Sequence, residues 1–172
     1  MKESIKNKFN LEGKVAIITG ASKGIGKSIA KGFIEFGAKV VISSRDQNSL
    51  EEVAKELGQE NILPIQCHVG KDKDIINLVN SVAKTFGRID VLVNNAATNP
   101  FYGELTDTDN ELFDKVINVN LKAPYLLANK CPLPLPYLML ILCAQKRCDN
   151  QPPLQFHLTD RQMSAQSIRL LH

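Results

Sequence analysis

The chain lacks any apolar run long enough to cross a bilayer. A spanning helix takes roughly 20 residues, and the longest run here, YLMLILCA from Tyr137, has eight. The opening MKESIKNKFNLEG has no apolar stretch of the kind a secretory leader needs, so none is expected. Charge of one sign is also missing: 21 Lys and Arg face 18 Asp and Glu, a formal balance of +3, and the two signs are interspersed. Without a basic tract, neither nucleic acid nor a membrane surface is an expected partner. Cysteines number four, and Cys131, Cys143 and Cys148 fall in the last quarter. No disulfide framework is expected in such a chain, and the spacing makes no paired metal ligands. The terminal Leu-Leu-His is not a peroxisomal address, which leaves the cytoplasm as the default expectation.

What remains is 172 residues, 44% of them hydrophobic, enough for one domain with a core. Between Lys14 and Lys130 short apolar runs alternate with amphipathic patterns. KVAIIT, KVVISS, NILPIQC and IDVLVNNA read as strands. Pro64 disfavours the early part of the third. GIGKSIAKGFIEFGA, QNSLEEVAKELG and KDKDIINLVNSVAKTFG read as helices, the first closed by Gly37. TDNELFDKVINVNLKAPYLLANK reads as a long helix that Pro124 bends or breaks. Strand–helix alternation of this kind implies right-handed crossovers and a parallel sheet covered on both faces. The nearly continuous apolar strands suit that burial. The expected fold class is α/β, a doubly wound parallel sheet.

Past Lys130 the alternation stops, and five of the eight prolines lie beyond that point. Residues 131–172 are expected to be irregular or disordered. The division expected is therefore a strand–helix part over 11–130 and a separate tail.

TGASKGIG lies where the first strand ends and the first helix begins, the position at which a doubly wound sheet holds a dinucleotide. Glycines 20, 24 and 26 allow a sharp turn and close approach, and the helix N-terminus offers free N–H groups to a pyrophosphate. A tight turn with no ligand is the plainer alternative. After the second strand comes ISSRD. An arginine there suits a 2′-phosphate, whereas a carboxylate suits a ribose 2′-OH. Arg45 leads and Asp46 follows, with Lys23 able to add a second cation, so NADP(H) is favoured over NAD(H).

TGASKGIG, NNAA (94–97) and FDKVINVNLKAPYLL (113–127) together resemble the short-chain dehydrogenase/reductase family. CHVGK, NNAATNPFYG and NLKAP are closer still to NADP-dependent carbonyl and retinal reductases, some of them peroxisomal. The resemblance covers Leu11 to about Lys130 and implies a Rossmann-like domain that transfers hydride between NADP(H) and a small carbonyl or alcohol. It implies that Gly20, Ser22, Lys23, Gly24, Ile25 and Gly26 line the phosphates, and that Ser44 and Arg45 meet the 2′-phosphate. His68 and Val69 would lie beside the adenine, His68 standing where the family usually has Asp. Asn94 and Ala96 would face the ribose, Asn94 also tying strand ends. Asn120 matches the helix asparagine that orders a water in the proton relay.

The family's proton donor is a tyrosine with a lysine four residues on, one helical face carrying both. An upstream serine polarises the carbonyl. Here Thr106, Asn129 and Ile141 follow the three tyrosines at that spacing, so no Tyr-x3-Lys exists. The serine strand and the nicotinamide loop are missing too. A change of reading frame or splicing near codon 130 is the expected origin. The interior strand IDVLV would then lie at an exposed edge, unless YLMLILC covers part of it. Three readings stay open: a working reductase with an unrecognised proton donor, a nucleotide-binding fragment without catalysis, and a non-functional product. Oligomers are implied by the family, although the helices that build them lie partly beyond Lys130.

Overall fold

The computed structural model describes residues 9–101, 103, 108–131 and 137–140. In chain order it comprises β1 (Val15–Thr19), α1 (Gly24–Glu35), β2 (Lys39–Ser44), α2 (Gln47–Leu57) and a 3-10 turn (Gln59–Asn61). Then come β3 (Ile62–Gln66), α3 (Asp72–Phe86), β4 (Val91–Asn94), α4 (Asn110–Ile117), a π-helical segment (Asn118–Lys122), α5 (Ala123–Lys130) and β5 (Tyr137–Leu140).

All pairings are parallel and the strand order is β3-β2-β1-β4-β5. The order reverses beside β1, so β1 and β4 diverge in their connections and leave a crevice at their C-terminal ends. Period-two side chains split the core into two layers. Ala16, Ile18, Val40, Ile42, Val91 and Val93 pack with Ala30, Leu50 and Val53 of α1 and α2. Val15, Ile17, Val41 and Leu92 pack with Ile75, Leu78 and Val82 of α3 and with Ala123 and Leu127 of α5. Burial on both faces is why these strands show apolar runs rather than alternation. Pro64 is tolerated because β3 is an edge strand; it pairs with Ile42 in register.

Two expectations meet a different outcome. Asn110–Lys130 form one helical path, and Pro124 does not break it. It carries no N–H for the Asn120 carbonyl, and the path widens instead: the Ala123 N–H reaches the Asn118 carbonyl in an i to i+5 turn. The second outcome concerns the tail, expected to be irregular from 131. Tyr137–Leu140 is a strand, paired in parallel with β4 from Val91↔Tyr137 to Asn94↔Leu140. The apolar run thus gives β4 a partner on its outer side and makes it interior, as a crossover through α4 and α5 allows. Residues 141–172 lie outside the described set.

On the outer side of the α4–α5 path, Phe113, Ile117, Leu121 and Tyr125 recur at every fourth position and are 54%, 38%, 65% and 67% exposed.

Candidate functional site

The crevice is built from four loops that follow β1, β2, β3 and β4. Its frame is a set of hydrogen bonds between strand ends. Thr19, the last residue of β1, is buried, and its hydroxyl accepts from the Asn95 N–H at 3.1 Å and the Ala96 N–H at 3.0 Å. The Asn95 amide in turn donates to the carbonyls of Thr19 at 2.9 Å and Gly20 at 3.1 Å. Asn95, not Asn94, therefore ties β4 to β1. Neither Thr19 nor Asn95 stood out in the sequence; the doubled asparagine after an apolar strand was the available signal.

Asn94 does something else. It is 3% exposed, yet neither its amide nitrogen nor its carbonyl oxygen has a partner. Ser43, on the same sheet face two strands away, is likewise buried with an unpartnered hydroxyl. Buried polar atoms of this sort normally find a partner, so the ends of β2 and β4 hold unused hydrogen-bonding capacity beside the crevice.

The three glycines divide by role. A Cβ on Gly26 would sit 2.6 Å from both the Asn95 amide nitrogen and the Gly20 carbonyl oxygen, and one on Gly20 would sit 2.9 Å from the Ala96 Cα. These two permit the β1 and β4 ends to close on each other. Gly24 has a φ of +59° and open space where its Cβ would be. It starts α1, whose Lys23 N-cap gives no side-chain hydrogen bond, so the first-turn N–H groups are uncapped by side chains. Lys23 and Ile25 are exposed, Ile25 by 54%, and Ser22 is half-buried. This is an uncapped helix start, open at Gly24, of the kind that accepts a phosphate.

At the end of β2, Arg45 is exposed while Asp46 is engaged. The Asp46 carboxylate caps α2, accepting from the Asn48 N–H at 3.1 Å and from the Ser49 hydroxyl. The Ser49 bond is the main reason its carboxyl is held below the ordinary carboxylate value. Ser44 braces the same corner, its hydroxyl bonding the Asp46 backbone at 3.1 Å. Arg45 lends only its carbonyl, which accepts from the Gln66 amide at 2.8 Å.

After β3 the chain turns through His68–Lys71. His68 Nδ1 accepts from the Gly70 N–H at 3.0 Å, so the neutral ring carries its proton on Nε2. The His68 N–H donates to Asp74 at 3.0 Å, and Val69 packs on the α3 side of the core. Beside this turn lies the buried Cys67, whose thiol burial pushes up to about 11. Asn120 lies opposite. Its side chain holds Thr98 from both sides, accepting from the Thr98 N–H and donating to the Thr98 carbonyl, each at 2.8 Å. The sequence-derived residues from Gly20 to Asn120 thus lie at the C-terminal ends of β1 to β4, on the loops that follow them, at the start of α1 and, for Asn120, in the π-helical segment that braces the loop after β4.

A nucleotide-phosphate half-site fits these residues. The uncapped helix start, the open face at Gly24 and the unpartnered Asn94 leave groups for a polar ligand to meet. Among the described residues no three His, Cys, Asp or Glu side chains gather as a metal site would need, and no helix is long and apolar enough to cross a membrane.

The family model for short chain dehydrogenases matches residues 14–139, which runs past the expected end near Lys130 and takes in most of β5. Dehydrogenase/reductase SDR family member 4 of Pongo abelii is 43% identical over 119 residues, which are 68% of this chain and 43% of that protein. A metagenomic short-chain oxidoreductase solved in complex with NADP superposes with a TM-score of 0.67 at 39% identity, over 70% of this chain and 56% of that one. The 3-ketoacyl-(acyl-carrier-protein) reductase from Brucella melitensis, solved with NADH, gives 0.67 at 40% identity, over 70% and 50%. The chain spans less than half the length of the curated relative.

Proposed function

Because the chain belongs to the short-chain dehydrogenase/reductase family of oxidoreductases, we propose that its crevice binds NADP(H) in preference to NAD(H), without carrying out carbonyl reduction. The observation that carries the preference is the use of Asp46 as the cap of α2. A carboxylate oriented onto a helix N-terminus is turned toward α2 rather than toward a ribose 2′-OH, and the exposed Arg45 beside it is the cation that a 2′-phosphate would meet. Solved relatives with either cofactor share the fold, so the discrimination rests on this corner.

Gly20, Ser22, Lys23, Gly24, Ile25 and Gly26 would hold the pyrophosphate, His68, Val69, Asn94 and Ala96 the adenosine, and Ser44 with Arg45 the 2′-phosphate. Such a cofactor supplies a hydride at its nicotinamide ring. The chain's part is to bind and orient the other end. Protonating a developing alkoxide needs a positioned acid, and no tyrosine of these 172 residues has a lysine four positions on. Asn120, its side chain committed to Thr98, would hold the crevice wall rather than replace that acid.

A fluorescence titration of the purified chain with NADPH, with NADH as control, tests the reading. Saturable binding that favours NADPH, and an Arg45→Ala variant weakened for NADPH by about tenfold but not for NADH, are the expected results, a charge-assisted phosphate contact being worth about 1.5–3 kcal/mol. Equal loss for both cofactors would contradict it. A second reading, action through like subunits, is favoured by one observation: the exposed apolar row Phe113, Ile117, Leu121 and Tyr125 leaves one face of the α4–α5 path open to a second copy.

A further inference from the structure

The π-helical segment carries two asparagines, and only Asn120 has a place in the reading above. Asn118 stands two residues earlier, so its side chain leaves the helical path on a different side. Its Nδ2 donates to the Gly70 carbonyl at 2.9 Å. Gly70 is the centre of the His68–Lys71 turn, closed by the Gly70 N–H on His68 Nδ1 at 3.0 Å and the Lys71 N–H on the His68 carbonyl at 2.8 Å. The packing there is tight: a Cβ on residue 70 would come within 2.9 Å of His68 Cε1 and 3.2 Å of Asn118 Nδ2. One turn on, Lys122 reaches Asp72 at 3.1 Å, but both side chains are half-exposed and that pair holds little.

We infer that Asn118 is a positioning residue for the adenosine end of the dinucleotide, acting through the His68–Lys71 turn. One short segment grips both walls of the crevice, Asn118 the turn after β3 and Asn120 the loop after β4. Two positions apart on the helical path, the asparagines point to different sides, and each therefore reaches a different loop. The spacing of His68 and Val69 from Asn94 and Ala96 is thereby fixed by the helix rather than left to two independent loops. The inference rests on the NADP(H) reading for its consequence in binding, not for the coupling itself.

Two variants separate the outcomes. Asn118→Ala removes the donor, and Asn118→Asp keeps the shape while turning a carboxylate oxygen toward the Gly70 carbonyl. In calorimetric titrations at pH 7.5, affinity for NADP+ and for 2′,5′-ADP is expected to fall by the same factor, about fivefold in Asn118→Ala, the worth of one hydrogen bond. Asn118→Asp is expected to lose at least as much and to recover as the pH is lowered toward about 4, where a protonated carboxyl can donate again. Hydrogen exchange on the ligand-free proteins reads the coupling separately: the Gly70 and Lys71 amides are expected to exchange faster in Asn118→Ala. A wild-type chain that holds no NADP+ overturns the functional reading, and exchange rates then decide the coupling alone. Wild-type affinity in both variants, or unchanged exchange at Gly70 and Lys71, overturns the positioning role.

Discussion

Asp90 is 2% exposed, and its carboxylate accepts from the Val15 N–H and from Arg88 Nε at 2.9 and 2.8 Å, with Lys14 at 3.9 Å. Its own N–H returns a bond to the Val15 carbonyl at 2.8 Å. Burial alone would raise this carboxyl, but Arg88, the Val15 N–H and Lys14 outweigh it and hold it below the usual 3.8. A carboxyl with a lowered folded value stabilises the fold above its unfolded value and loses that contribution as the pH falls through the folded one. Asp90→Asn is therefore expected to cost about 2 kcal/mol in urea unfolding at pH 7, and the gap from wild type should shrink at pH 3. A gap that stays constant would assign the effect to packing. At this scale the sequence was only partly legible. The glycine turn and Arg45 carry signals that do not depend on partners, whereas Asn95, Asp90 and Asn118 matter through bonds to residues 48–76 positions away, which no local pattern encodes.

Among the elements, the four leading strands and three leading helices follow from periodicity because each buries a face set by its own side chains. The path through Asn118–Lys122 was less legible: proline announces an interruption, but whether the backbone kinks or widens depends on what Ala123 and Leu127 pack against. β5 is the larger departure. Four residues between prolines and further apolar residues give no periodic signal, and they form a strand only because β4 presents an unpaired edge. A parallel strand directs successive N–H groups to opposite sides. Of Leu138→Pro and Met139→Pro, one must then remove a bond to β4 while the other faces outward. One variant is expected to lose roughly 1–3 kcal/mol and the other much less. Equal, negligible effects would mean that β5 adds nothing to stability.

Across the described residues, five parallel strands and their helices bring to one end of the sheet the helix start at Gly24, the capped corner at Asp46, the His68–Lys71 turn and the strand end at Asn94. The 172 residues hold no Tyr-x3-Lys, the pair that the family resemblance leads one to expect for proton donation. On the proposed reading this chain grips a dinucleotide by its phosphorylated adenosine end. Calorimetric titration of the wild-type chain with 2′,5′-ADP and with NADPH, side by side, tests it most directly. The account predicts that both bind and that their affinities agree within about threefold, since the nicotinamide end gains few contacts. NADPH binding more than about a hundredfold tighter, or no binding of 2′,5′-ADP at all, would contradict it.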